Sequence, residues 1–231
     1  MKLTLRALSA LLGYPSAELK ENIAEVRVAL RSEAVLPDEA LARLEPLLRS
    51  FETEDLLDLQ VAYSELFDRS RSLSLHLFEH VHGESRERGQ AMIDLGQQYV
   101  DREFIMESSE LPDFLPMFLE FLSCSSAKEA REWLSEPAHV LVVIEQRLSE
   151  RGSSYAAVFH ALLALPDAKP DPAAIAELRD RAKPEDDKSI DDEWEEAPVN
   201  FGAPLHDGGG PTGIVAKIRA ARRAVTATIK D

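Results

Sequence analysis

Between Asp68 and Met92 the chain reads DRSRSLSLHLFEHVHGESRERGQAM, which sets His76, His80 and His82 among Glu79, Glu84, Arg69, Arg71, Arg86 and Arg88. HLFEH, from His76 to His80, matches the H-x-x-E-H pattern in which two histidines on one helical face hold zinc and the glutamate is the base. Imidazole and carboxylate also suit a non-catalytic zinc or nickel site, with His82 and Glu84 as further ligands. Helical geometry constrains both readings. His76 and His80 share a face at i, i+4, whereas His82 points away from them unless the helix ends before Gly83. A zinc-dependent hydrolase and a non-catalytic scaffold bundle therefore stand beside a third possibility, a recognition surface.

That third reading rests on charge. From Leu66 to Gly89 four acids balance four arginines, although the 231-residue chain carries a formal charge of −16. Arg69, Arg71 and Arg86 present forked donors for carboxylates, while Asp68, Glu79 and Glu84 receive arginines from a partner. Tyr63, Phe67 and Phe78 would supply the apolar contact. Free imidazoles titrate near pH 6.5, so binding through His76, His80 and His82 is expected to respond to mild acid. The overall acidity steers basic peptides toward the protein and argues against duplex nucleic acid.

Other chemistries find little footing. Cys124 is the single cysteine, which rules out an intrachain disulfide and a cysteine-ligated cluster, and FLSCSS offers no activating motif. GGG at 208–210 precedes Pro211 with no lysine placed for phosphate. No stretch has the length of a membrane span, and the first residues lack the form of a signal peptide, so a cytoplasmic protein with no bound cofactor is expected.

The elements around the segment are helical. Leucine and alanine dominate, apolar residues make up 45% and aromatics 6%, and valine or threonine runs are few. Leu5, Leu8, Leu11 and Leu12 stripe a first helix ending at Gly13. Ser16 caps a second through Leu19, Ile23, Val26 and Leu30, and Pro37 and Asp38 start a third that Pro46 should kink. Asp55 is placed to cap a fourth bearing Leu56, Leu59, Tyr63 and Leu66, which leads into the charged segment. Ser85 restarts helix through Met92, Leu95 and Tyr99. Pro112 opens the cluster Phe114, Leu115, Met117, Phe118, Phe121 and Leu122, and Ser126 with Glu129 forms a capping box. Helices bearing Val140 to Leu148, ended by Gly152, and Tyr155 to Leu163 complete the pattern.

The fold class is thus all-α, a single compact bundle over residues 1–182. A flexible tail over 183–231 carries the acidic run PEDDKSIDDEWEE and ends in a basic amphipathic stretch with Ile214, Ile218, Val225 and Ile229.

YSELFDRSRSLSLHLFEHVHGESRERGQAMIDL, from Tyr63 to Leu95, and ELPDFLPMFLEFLS, from Glu110 to Ser123, resemble the two best-known blocks of the NarJ family of nitrate reductase assembly chaperones. LLGYPSAEL and DDEWEEAPVNF resemble flanking parts of that family. One departure stands out: the turn after Tyr99 usually carries glycine there, and here Glu103 and Phe104 occupy it. The resemblance implies the all-helical fold of the wider TorD and DmsD chaperone class and no enzymatic activity. It implies a cytoplasmic chaperone, absent from the mature enzyme, whose partner is the nitrate reductase catalytic subunit. It would bind that subunit partly through its N-terminal segment and hold it for insertion of molybdenum cofactor and an iron–sulfur cluster before membrane docking.

Overall fold

A computed structural model describes residues 1–83, 85–105, 110–166, 170 and 172–181. The described residues form twelve α-helices with no named strand. The tail over 183–231, its basic amphipathic stretch and the boundary near Ala182 lie outside them.

Helix α1 (Lys2–Leu12) buries Leu5, Leu8, Leu11 and Leu12 completely. It packs on α3 (Ile23–Ser32), α8 (Leu115–Ser123) and α11 (Ala156–Leu163). The Ser9 hydroxyl donates to the Pro116 carbonyl at 2.7 Å, and Arg6 Nε donates to Ser123 Oγ at 3.3 Å, so α1 and α8 lie antiparallel. Pro116 sits in the first turn of α8, where its missing N–H has no helical partner to lose. Leu115, Leu119, Phe121 and Leu122 are each at most 1% exposed, and burying such a side chain stabilises by about 1.5–3 kcal/mol.

Glu33 fixes the start of α1, accepting from the Thr4 N–H at 2.9 Å and the Thr4 hydroxyl at 2.8 Å. Burial alone would raise its carboxyl. These bonds and the Met1 ammonium at 2.9 Å outweigh that and hold the pKa at about 2.

One sequence expectation needs correction here. The second helix is two, α2 (Ala17–Glu21) and α3, because Asn22 leaves helical geometry at φ −102°, ψ 13° and its side chain donates to the Glu18 carbonyl at 2.8 Å. Helix α4 (Asp38–Thr53) continues as a single element through Pro46. Ser16 caps α2 as expected, accepting from the Leu19 N–H at 3.1 Å, whereas Asp55 heads α5 (Leu56–Phe67) without a side-chain bond.

The remaining elements are α6 (Leu77–His82), α7 (Arg86–Asp101), α9 (Ala127–Ser135), α10 (Ala138–Glu150) and α12 (Pro172–Arg181). The capping box of Ser126 and Glu129 opens α9. Helix α10 ends where Gly152 takes φ +66° and the Ser153 N–H returns to the Leu148 carbonyl at 2.9 Å. Helix α10 packs on α6, α11 and α12. No helix among the described residues is long and apolar enough to cross a membrane.

Candidate functional site

The charged segment leaves α5 at Asp68, makes a 3-10 turn at Arg71–Leu73 and runs extended through Leu75 and His76 before α6. Leu73, Leu75 and Leu77 alternate with polar neighbours and bury at 0–5% exposure, pinning the backbone to the bundle. Gly83 ends α6 at φ +54°, ψ −129°, a region that side chains avoid, and Ser85 then heads α7. A Cβ on Gly83 would meet nothing within 4 Å, so backbone angle alone calls for glycine.

The second block is fastened directly to this stretch. The Leu77 N–H donates to the Asp113 carbonyl at 3.0 Å and the Leu115 N–H to the Leu75 carbonyl at 2.8 Å, an antiparallel link that pairs His76 with Phe114. Hence Pro112 lies before an extended turn and α8 begins at Leu115, later than the sequence suggested. The Asp113 side chain is completely buried. One carboxylate oxygen lies 3.1 Å from His76 Nδ1 and the other accepts from the Phe78 N–H at 3.0 Å. Asp113 therefore caps α6 from another part of the chain. Sequence reasoning missed it; the only signal was an acid inside the apolar run LPDFLP.

Each histidine has a defined place. His76 precedes α6 and stacks on Phe114 at 5.3 Å; its bond to Asp113 raises its pKa, against burial. His80 Nε2–H donates to the Ser74 carbonyl at 2.8 Å, and burial, with Arg147 adding to it, lowers its pKa. Arg147 Nη1 in turn donates to the Ser72 carbonyl at 2.6 Å. The His82 ring meets Phe78 edge-on at 5.6 Å and lies 3.9 Å from Glu87. Arg88 pairs with Glu79 at 3.1 Å.

These contacts correct the metal readings. His76 stands outside the helix, so it and His80 do not share a helical face; His80 Nε2 is committed to a carbonyl and Glu79 to an arginine. No group of three or more His, Cys, Asp or Glu side chains suited to a metal ion comes together among the described residues. Glu84 lies outside them. Cys124 is exposed at the end of α8.

The recognition set is divided by burial. Tyr63 and Phe67 face the core, where Tyr63 donates to the Leu12 carbonyl at 2.8 Å and both rings pack on Tyr155. Phe78, His76, Glu79, His80 and His82 are half-buried, while Asp68, Arg69, Arg71 and Arg86 are exposed. On α5 itself, apolar side chains left open lie on the other side of the helix, at Leu57 (69% exposed) and Val61 (50% exposed). Glu54, Asp55, Asp58, Glu65 and Asp68, on or just beside the same helix, are exposed as well. Leu57 and Val61 share a face at i, i+4, a pattern legible in the sequence but overshadowed there by the inward stripe.

Comparison with known proteins points one way. Residues 33–161 match the family model described as "Nitrate reductase delta subunit". The chain is 43% identical to the nitrate reductase molybdenum cofactor assembly chaperone NarJ of Escherichia coli strain K12, over 94% of this chain and 92% of that one. It is 35% identical to the probable chaperone NarW of the same strain, over 85% of this chain and 83% of that one. Among solved structures it resembles a putative redox enzyme maturation protein from Archaeoglobus fulgidus, with a TM-score of 0.51 and 21% identity, over 71% of this chain and 91% of the other.

Proposed function

Because the chain belongs to the nitrate reductase delta subunit family, we propose that it is a dedicated cytoplasmic chaperone for the catalytic subunit of a respiratory nitrate reductase. It holds that subunit, including its N-terminal segment, for insertion of molybdenum cofactor and an iron–sulfur cluster before membrane docking, and it leaves before the enzyme matures. The chaperone names of its relatives support a maturation role in place of an enzymatic one.

The observation that carries the client reading is the open face of α5, where Leu57 and Val61 are exposed on a helix that also exposes five acids along its length and ends. Such a face suits a basic amphipathic helix, whose apolar side covers the two side chains while its cations meet the acids. Asp68, Arg69 and Arg71 extend the polar contact at the end of α5. Asp113, His76 and His80 hold that end in shape.

Calorimetric titration with a peptide from the N-terminus of the catalytic subunit, against a scrambled control, tests the reading. Selective binding with Kd in about the micromolar range or tighter is expected. L57D/V61D should weaken it at least about tenfold, and D58K/E65K should weaken it and flatten its salt dependence. Equal affinity for both peptides, or none, rejects the N-terminal segment as the client element. Unchanged affinity in both double variants moves the contact off α5.

A further inference from the structure

Tyr14 stands in the turn between α1 and α2, 55% exposed yet held in three ways. Pro15 restricts its backbone to extended values. Its ring meets Tyr63 edge-to-face at 5.5 Å, and Tyr63 is itself fixed by the bond from its hydroxyl to the Leu12 carbonyl at 2.8 Å. The Gln60 side chain donates to the Pro15 carbonyl at 2.8 Å, which ties the turn to α5. One exposed aromatic ring is ordinary. An exposed ring fastened to the very helix that offers the client its open face is not.

Helical geometry says on which side of α5 the ring lies. At about 100° per residue, Leu59, Tyr63 and Phe67 form the inward stripe of the helix, and Leu57 and Val61 the outward one. Gln60 and Ser64 fall between the two on one flank, and both are half-buried. Asp58 and Glu65 fall on the opposite flank, and both are exposed. Since Gln60 holds Pro15 and Tyr63 meets Tyr14, the turn borders the first flank. The open stripe therefore has an aromatic ring along one side and carboxylates along the other.

This difference carries information that the stripe alone lacks. An amphipathic helix can be laid on two apolar side chains in either direction, and reversing it exchanges which of its flanks meets which side. Equal sides would leave the two directions equal. Here one direction sets the cations of a basic helix against Asp58 and Glu65 and its other flank against the Tyr14 ring. The reverse covers the carboxylates with apolar groups, which strips their water without a partner in return. A ring already held in place gives up little entropy on contact, which suits it to this selection.

We propose that Tyr14 is a specificity-determining residue of the client face, receiving a large apolar side chain from a helix whose cations lie along its opposite flank, and so fixing the direction in which the client binds. This rests on the client reading above and narrows it, from a basic amphipathic helix to one that is asymmetric across its width.

Calorimetric titration of the full chain with the N-terminal peptide of the catalytic subunit, beside L57D/V61D, tests this. Tyr14→Ala should weaken binding about fivefold or more, and Tyr14→Phe, which keeps the ring, should stay within about twofold of wild type. Direction is read by placing p-benzoylphenylalanine at position 14 or, in a second protein, at position 58, and mapping the peptide residues captured on irradiation. Position 14 should capture apolar residues of one flank, and position 58 residues beside the cations of the other. The first of these proteins keeps an aromatic ring, so it decides the question even where the alanine variant unfolds. Tyr14→Ala at wild-type affinity while L57D/V61D binds weakly overturns the role of Tyr14 and leaves the α5 face standing. Capture of the same residues at both positions overturns the fixed direction. Unchanged affinity in Tyr14→Ala and L57D/V61D alike removes the α5 face, and this inference with it.

Discussion

Asp113 and His76, 37 residues apart in sequence, meet at 3.1 Å where the two signature blocks join. The carboxylate is fully buried and also holds the first turn of α6 through the Phe78 N–H. A buried carboxylate without partners is unfavourable by several kcal/mol, so each block needs the other to be stable. The segment carrying Asp68, Arg69 and Arg71 is thus held at both ends, by α5 before it and by this joint after it.

Removing Asp113 should damage stability more than removing its histidine partner. Asp113→Ala takes away a helix cap, a charge-assisted bond and packing, and should lower unfolding free energy by about 2–4 kcal/mol. His76→Ala leaves the cap in place and should lower it by about 1–2 kcal/mol. The double variant should lose clearly less than the two losses combined, because both report one bond. Urea unfolding of the four proteins measures this; full additivity would mean that the bond contributes nothing.

His76 and His80 should give the protein opposite dependences on pH. His76 has a raised pKa, from its bond to Asp113. Its contribution is therefore complete below the unfolded value of 6.5 and fades as pH climbs through the raised value. His80 has a lowered pKa, from burial and the nearby Arg147. Its neutral form stabilises above 6.5, and that contribution fades as pH falls below it. The stability gap between wild type and His76→Gln should be widest near about pH 5.5 and close upward. The gap for His80→Gln should be widest near about pH 8 and close downward. Urea midpoints at four pH values settle it; gaps of the same slope would refute the assignment.

Features that depend on near neighbours could be read from the sequence. The Ser126 and Glu129 box, the Gly152 stop and the Ser16 cap all involve residues within one or two turns. The helical stripes also appeared where expected, because burial enforces their period. What periodicity leaves open is what covers a stripe. Tyr63 and Phe67 were legible as one face of α5, but only the packing of Tyr155 against them makes that face core and turns Leu57 and Val61 outward. The HLFEH match failed for a related reason. A motif assumes a helix through His76, while a carboxylate from the distant second block starts the helix one residue later.

The turn after α7 offers a test of backbone strain. Glu103 takes φ +59°, the left-handed conformation that glycine adopts most easily. Its N–H returns to the Val100 carbonyl at 2.9 Å and the Phe104 N–H to the Tyr99 carbonyl at 2.9 Å, a Schellman stop. The Phe104 and Tyr99 rings meet at 5.4 Å, as that motif favours. Turn geometry is therefore kept without glycine, at a local cost. Glu103→Gly should raise stability by about 0.5–1 kcal/mol, or the thermal midpoint by about 1–4 °C. A lowered midpoint would show that the Glu103 side chain stabilises the turn.

The Tyr155 hydroxyl is the one buried side-chain polar atom without a hydrogen-bond partner among those described. The ring packs against Tyr63 at 6.1 Å and Phe67 at 5.2 Å, and those contacts belong to the ring rather than the oxygen. A buried hydroxyl left without a bond loses its hydration for no return, an unfavourable term of about 1–3 kcal/mol. Burial also raises the phenol pKa beyond the range where it would ionise. Tyr155→Phe keeps the ring and deletes only the stranded oxygen, so it should leave stability unchanged or raise it by up to about 1 kcal/mol. Tyr155→Leu should lower it by about 1–3 kcal/mol through lost ring packing. Thermal unfolding of the two variants beside wild type separates these terms, and a Phe variant less stable by more than about 1 kcal/mol would mean that the hydroxyl has a bonding partner, such as an internal water.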